Sequence, residues 1–280
     1  MDTFIQQIIN GLVLGSIYAL VALGYTMVYG ILGLINFAHG EVVMIGALTA
    51  LTVIKLLADS GLPGTVVVLI GLLAAIPVCM ALGFTIERIA YRPLRNAPRL
   101  APLITAIGVS IVLQQLAMIF WGRNYHAFPP ILPTSSREIG GAHITDVQIV
   151  IILLAVAIMA GLMLLVNRTR LGRAMRATAE NPQIAGLMGV NINVIISATF
   201  LIGSALAAVA GVMVSANYSI AHYHMGFILG LKAFTAAVLG GIGNLPGAML
   251  GGVLLGLIES LGAGYIGDLT GGFLGSHYQD

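Results

Sequence analysis

Eight apolar stretches carrying almost no charge succeed one another along this chain, at roughly 8–30, 41–58, 65–87, 101–121, 147–166, 192–216, 226–243 and 246–263. A helix needs about 20 mostly apolar residues to cross a hydrocarbon core of roughly 30 Å, so each stretch is a candidate membrane element. Only 8% of the 280 residues are charged and 59% are apolar, whereas a soluble domain carries roughly 25% charged residues to keep its surface wet. Lipid must solvate most of this surface. The sequence therefore predicts an all-α, polytopic integral membrane protein with about eight transmembrane or re-entrant helices. Residues 1–280 read as a single transmembrane domain.

Two of the eight stretches are interrupted. The second is short and follows the polar break Asn36-Phe37-Ala38-His39-Gly40-Glu41. The seventh contains Lys232 and ends in Gly240-Gly241-Ile242-Gly243-Asn244-Leu245-Pro246. Both are candidates for broken or re-entrant helices, because irregular backbone at membrane depth survives only where protein buries it or where it lines a wet cavity. Met1-Asp2-Thr3 lacks the basic start of a signal peptide, and the apolar run after it is too long for one, so a retained first helix is expected.

Arginines set the orientation. Arg88, Arg92, Arg95 and Arg99 follow the third stretch, and Arg168, Arg170, Arg173 and Arg176 follow the fifth. Cytoplasmic loops collect Lys and Arg, and two intervening spans put both clusters on one side, the inside. Counting back leaves the amino terminus outside. Counting forward leaves residues 122–146, with Arg123, Pro129, Pro130 and Pro133, outside as well.

Small residues recur at four-residue spacing: Gly11 and Gly15; Gly203, Ala207 and Gly211; Gly243, Gly247 and Gly251; Gly252, Gly256 and Ser260. That spacing lays them on one helix face, where they let backbones approach closely. With 36 glycines in the chain, chance is the competing reading. Neither reading specifies a substrate.

The loop after the fifth stretch is ordered in its pattern. Leu171, Met175 and Thr178 fall at helical spacing, with Arg170, Arg173 and Arg176 along another face. Asn181 followed by Pro182 reads as an N-cap with proline at the first helical position, and Gly189 reads as a helix stop. Two short helices meeting at a corner are expected. A merely solvated basic loop would explain the arginines but not this order.

Arg173-Ala-Met-Arg-Ala-Thr-Ala-Glu180 and Ala185-Gly-Leu-Met-Gly189-Val-Asn resemble the coupling loop of the permease subunits of branched-chain amino acid ABC importers. Gly24-Tyr-Thr-Met-Val-Tyr-Gly30, Ile35-Asn-Phe-Ala-His-Gly-Glu41, Glu87-Arg-Ile-Ala-Tyr-Arg-Pro-Leu-Arg95 and Lys232-Ala-Phe-Thr-Ala-Ala-Val-Leu-Gly-Gly-Ile-Gly243 are similar to segments of that family too. The resemblance covers nearly the whole chain. It implies a permease forming half of a pathway for leucine, isoleucine, valine or related amino acids in the bacterial inner membrane. The implied partners are a paralogous second permease, two cytoplasmic ATPase subunits, a periplasmic amino-acid-binding protein and the lipid bilayer, with no nucleic acid. It also implies that residues of about 167–190 dock on an ATPase, with Gly172, Arg173, Arg176, Glu180, Ala185 and Gly189 as working parts. The family carries one further apolar helix after the region of Gly264 to Asp280, which holds Asp268, Ser276 and His277, so the final helix is expected to be absent from this chain.

Asn36, Phe37, His39, Glu41 and Lys232 are the pathway or gate candidates. A charge at mid-membrane costs roughly 2.5–3.5 kcal/mol on insertion scales, so His39 and Glu41 must face protein or water. Two readings stay open for them: a gate built on unwound backbone, or a polar helix end at the cytoplasmic interface, with Glu41 favoured by the helix dipole. Lys232 has three: an ion pair with Glu41 or Glu259, a place in the pathway, or snorkelling to the interface.

His222-Tyr223-His224 offers two histidines without a third ligand, a weak zinc pattern. An exposed outer loop that touches a binding protein is the preferred reading, and no metal or cofactor is expected. Cys79 is the only cysteine, which rules out an intrachain disulfide. No GxxxxGK[ST], GxSxG or HExxH motif is present, so no catalytic residue is assigned and ATP hydrolysis falls to partner chains. The rival function is an ion-gradient-driven carrier, which wants ionisable residues near broken helices at the midplane.

Overall fold

The computed structural model describes residues 2–95, 97–98, 100–129, 136–139 and 141–269. Among these, seven helices are long and apolar enough to cross a membrane. They are α1 (Asp2–Leu32), α2 (His39–Leu56), α3 (Gly64–Ile86), α4 (Leu100–Trp121), α5 (Asp146–Arg168), α8 (Ile192–Tyr218) and α10 (Leu245–Leu269). Two short helices, α6 (Arg170–Glu180) and α7 (Pro182–Leu187), connect α5 to α8. The seventh expected stretch is α9 (Met225–Leu239), whose 15 residues reach only about 22 Å at 1.5 Å per residue. It falls short of the roughly 30 Å that a full span needs.

The segment between α4 and α5 departs from an all-helical reading in detail. It holds β1 (His126–Ala127), β2 (Ser136–Ile139) and β3 (Ala142–Thr145), with β2 and β3 forming an antiparallel hairpin. Strand β1 pairs with β4 (Ile220–Ala221), beyond α8. Connecting backbone outside the helices still needs hydrogen-bond partners, and these short ladders supply them. Pro130 and Pro133 of this segment lie outside the described residues.

Helices α1, α2 and α8 form the buried centre, while α3, α4, α5 and α10 are more exposed. Backbone contact at small residues sets the packing. A Cβ on Gly15 would lie 2.7 Å from the Cα of Val253, and one on Gly252 would lie 2.5 Å from the Cα of Ala19. Gly11 and Gly256 meet in the same seam, so the four-residue spacing on α1 and α10 marks a real interface. Likewise Gly211 of α8 lies against the carbonyl of Val43, and Gly46 lies against Ala208. In a bilayer, packing rather than water-driven burial joins helices, and glycine allows it at closest range.

Both arginine clusters come to the same end of the bundle. Arg95 donates to Asn193 Oδ1 at 2.6 Å, in the first turn of α8, and the α5–α6 junction carries Arg168 and Arg170 at that end. Arg99 lies outside the described residues. The amino-terminal end of α1 sits at the opposite end, where Gln6 Nε2 donates to the His143 carbonyl of β3 at 3.0 Å.

Candidate functional site

Local capping builds the α6–α7 corner. Thr169 caps α6 through its side chain, which accepts from the Gly172 amide at 3.0 Å. Asn181 caps α7, its Oδ1 accepting from the amides of Gln183 and Ile184 at 3.0 Å each. Pro182 occupies the first turn of α7, and Gly189 follows at φ +86°, a conformation that suits glycine. The two expected short helices and their corner are present.

Gly172, Met175 and Thr178 form the buried face of α6, with Leu171 half-buried. The Gly172 backbone sits against the carbonyls of Leu165 and Val166 at the end of α5. Arg176 also donates to the Val166 carbonyl. Met175, Arg176 and Ala179 face Met27, Gly30 and Ile31 of α1 across a cleft of about 90 Å³. Helix α6 is thus fixed to two long helices.

Arg173 and Glu180 are exposed, and Ala185 is buried. Beside them α7 presents an apolar tip: Leu187 is 88% exposed, Met188 81% and Ile184 57%. Sequence reading missed this tip. Its signal was there in an apolar triplet on a short helix too polar in context to be a span.

A second missed feature is Glu87. Its carboxylate is fully buried and accepts from Arg92 at 3.1 and 3.0 Å, from Ser197 Oγ at 2.8 Å, and from Arg95. The π turn Glu87–Tyr91 that ends α3 brings Arg92 and Arg95 back onto it. Burial holds the Arg95 guanidinium below its ordinary range, against the upward pull of Glu87. Because Arg92 and Ser197 both bind this carboxylate, the cluster bolts the end of α3 to the start of α8.

The break between α1 and α2 leads inward. His39 packs on Gly24, eight residues before the end of α1, about 12 Å along its axis. It also stacks edge-on against Tyr25 at 5.0 Å. The first turn of α2 therefore starts inside the bundle, well short of the end of α1. Residues 33–38 carry the chain inward: Asn36 Oδ1 accepts from Tyr91 at 3.0 Å, and Phe37 packs on Phe234 at 5.4 Å.

A second break mirrors it. Residues 219–224 lead from α8 to α9, and the first turns of α2 and α9 meet where Gly40 lies against the Gly226 carbonyl. Glu41 is fully buried at this junction. Its Oε1 accepts from Ser110 Oγ at 3.0 Å and from Gln114 Nε2 at 2.7 Å, both on α4.

Lys232 does not pair with Glu41. Its Nζ lies 3.0 Å from Glu259 Oε1 on α10. His222-Tyr223-His224 is exposed only in part, at His224. His222 stacks on Tyr125 at 4.2 Å and is half-buried, as is Tyr223, while His224 stands at the start of α9. Among the described residues no three His, Cys, Asp or Glu side chains are grouped to hold a metal ion. The structure thus gathers Asn36, Phe37, His39 and Glu41 at one junction, and leaves Lys232 and the α6–α7 residues in two separate places.

Comparison with known proteins matches this arrangement to one family. The chain is 51% identical over 270 residues to the high-affinity branched-chain amino acid transport system permease protein BraD of Pseudomonas aeruginosa, covering 95% of this chain and 88% of that protein. It is 47% identical over 268 residues to the corresponding permease protein LivH of Escherichia coli, covering 94% and 87% respectively. Residues 7–275 match the family described as branched-chain amino acid transport system / permease component. This polytopic helical membrane protein belongs to that permease family.

Proposed function

We propose that this chain is the membrane permease of an ATP-driven importer for leucine, isoleucine and valine, and that it forms half of the pathway beside a second permease. The α6–α7 corner is its handle for a cytoplasmic ATPase. The observation that carries this reading is the fixing of α6 against the Leu165 and Val166 carbonyls while α7 holds an exposed apolar tip. A partner that grips the tip moves a rigid lever attached to α5 and α1, a rigid-body route to alternating access. Two ATPases, a soluble amino-acid-binding protein and the bacterial inner membrane complete the assembly. The amino terminus faces outside, since the arginines gather at the opposite end. The family match disfavours the ion-gradient carrier.

Arg173→Glu and Glu180→Arg test the handle. Both are expected to insert normally but to lose co-purification with ATPase subunits and ATP-dependent leucine uptake. Normal uptake by both variants, or protease access to Asn167–Gly189 from the outer face, would overturn this reading.

A further inference from the structure

We infer that the crevice between α3 and α5 holds one acyl chain of a membrane phospholipid, drawn from the leaflet on the side away from the arginine clusters. Helix α3 packs along α8, whereas α5, among the long helices, packs chiefly on α1. A gap between α3 and α5 is left, floored by α8, and it encloses about 310 Å³. Each helix gives it one stripe at i, i+3, i+4 and i+7: Thr65 to Leu72 on α3, Val147 to Leu154 on α5, and Val209 to Ala216 on α8. All three stripes lie at the end of the bundle opposite Arg95 and Arg168. The crevice therefore runs parallel to the spans, as acyl chains do.

Val68, Ile151, Val212 and Met213 form a buried floor. Leu69, Val150 and Leu154 form the rim, at 57%, 47% and 36% exposed, so the crevice opens sideways to the lipid that solvates α3 and α5. Water is a poor filling for such a space. An ordered water needs roughly two to four polar partners, and among the described lining residues Thr65 alone carries a hydroxyl or amide side chain. An empty crevice would leave its floor without contacts on one side. Hydrocarbon supplies them.

Size decides between hydrocarbon and protein. Each stripe is about 10 Å long at roughly 1.5 Å per residue. A helix of another chain, about 10 Å across, needs on the order of 800 Å³ over that length, more than twice the space. A single hydrocarbon chain is one methylene wide and fits lengthwise. A charged solute is a poor match, because no charged side chain is among the described lining residues. The acyl chain leaves bulk lipid for an equally apolar wall, so close contact rather than release of water holds it. Filled in this way, the crevice gives α5 a neighbour at the end away from α6.

Photolabelling tests the assignment on the assembled transporter in nanodiscs containing a phospholipid with a diazirine in its acyl chain. Irradiation should mark Ile151 and Val212 on the floor, and also Ile119 and Phe120 of α4, which are exposed at the same end of the bundle. When the assembly is moved into detergent before irradiation, the α4 adducts should be lost while those at Ile151 and Val212 persist. Ala216→Trp fills the crevice and should lose the floor adducts. Val150→Asn, a milder change on the exposed rim, should reduce them too, so the result does not hang on one variant folding. A phospholipid with the diazirine in its headgroup should leave the floor unmarked. Floor residues left unmarked in nanodiscs where α4 is marked would overturn the proposal, and a crosslink from them to another subunit would give the crevice to a partner helix instead. Floor adducts that wash away with those of α4, or that persist undiminished in both variants, would overturn it as well by reducing the contact to ordinary surrounding lipid.

Discussion

Lys232 of α9 and Glu259 of α10 form a 3.0 Å ion pair, and the second oxygen of the same carboxylate accepts from Tyr18 of α1 at 2.9 Å. One carboxylate therefore ties together three helices, including the short α9. Both charged side chains are about one-fifth exposed, at 21% and 19%, so solvent screens part of the interaction. Lys232→Met strands the partner charge, and the cost should be about 3 kcal/mol or somewhat less, the low end for a broken buried pair. Adding Glu259→Gln should recover most of that loss. Thermal unfolding of the three variants in lipid nanodiscs checks this; a double variant less stable than the single one would refute it.

Gly172 should tolerate no side chain. A Cβ there would meet the backbone carbonyls of Leu165 and Val166, which cannot swing aside as a flexible side chain would. Gly172→Val is expected to lose about 1–3 kcal/mol of local stability by overpacking. Since α6 would then tilt off α5, ATP-dependent uptake should fall while membrane insertion and total helix content stay unchanged. Uptake and circular dichroism on the same preparation decide it.

The apolar tip of α7 gives a binding prediction. Leu187 and Met188 are the most exposed large apolar side chains of the α6–α7 corner, and apolar anchors of this kind dominate interface energies. Leu187→Ala should weaken ATPase association by about 2 kcal/mol, roughly thirtyfold in Kd. Stability of the free permease should not move, because the side chain touches solvent. Titration of purified ATPase onto immobilised permease measures the change.

Glu87 predicts a stability effect at the same end of the bundle. Glu87→Gln removes the negative charge that Arg92 and Arg95 share, leaving two neighbouring guanidinium groups without it. A loss of about 3 kcal/mol is expected. Ser197→Ala removes one hydrogen bond and should cost only about 1 kcal/mol. Chemical or thermal unfolding of the two variants should rank them in that order.

How much was legible in advance follows the reach of each signal. Hydropathy places the helices to within a few residues because burial in lipid is a property of each stretch alone. The α6–α7 corner was equally legible, since Thr169, Asn181, Pro182 and Gly189 act on backbone within a few positions of themselves. Both arginine clusters fell on one end for a reason the sequence also contains, the number of spans between them.

Partner choice was another matter. Glu41 finds Gln114 across 73 residues, Glu87 finds Ser197 across 110, and Lys232 takes Glu259 where the sequence left Glu41 equally open. The depth at which α2 begins, which packs His39 and Glu41 inside the bundle, is likewise set by Gly24 and Gly226 on other helices. The chain order of apolar, capping and basic residues determined which segments are helices and which end gathers positive charge. Tertiary packing alone decided which buried polar groups meet, because a buried charge is stabilised by whichever donor the helix contacts bring within reach, and those contacts are made by glycines far apart in the chain.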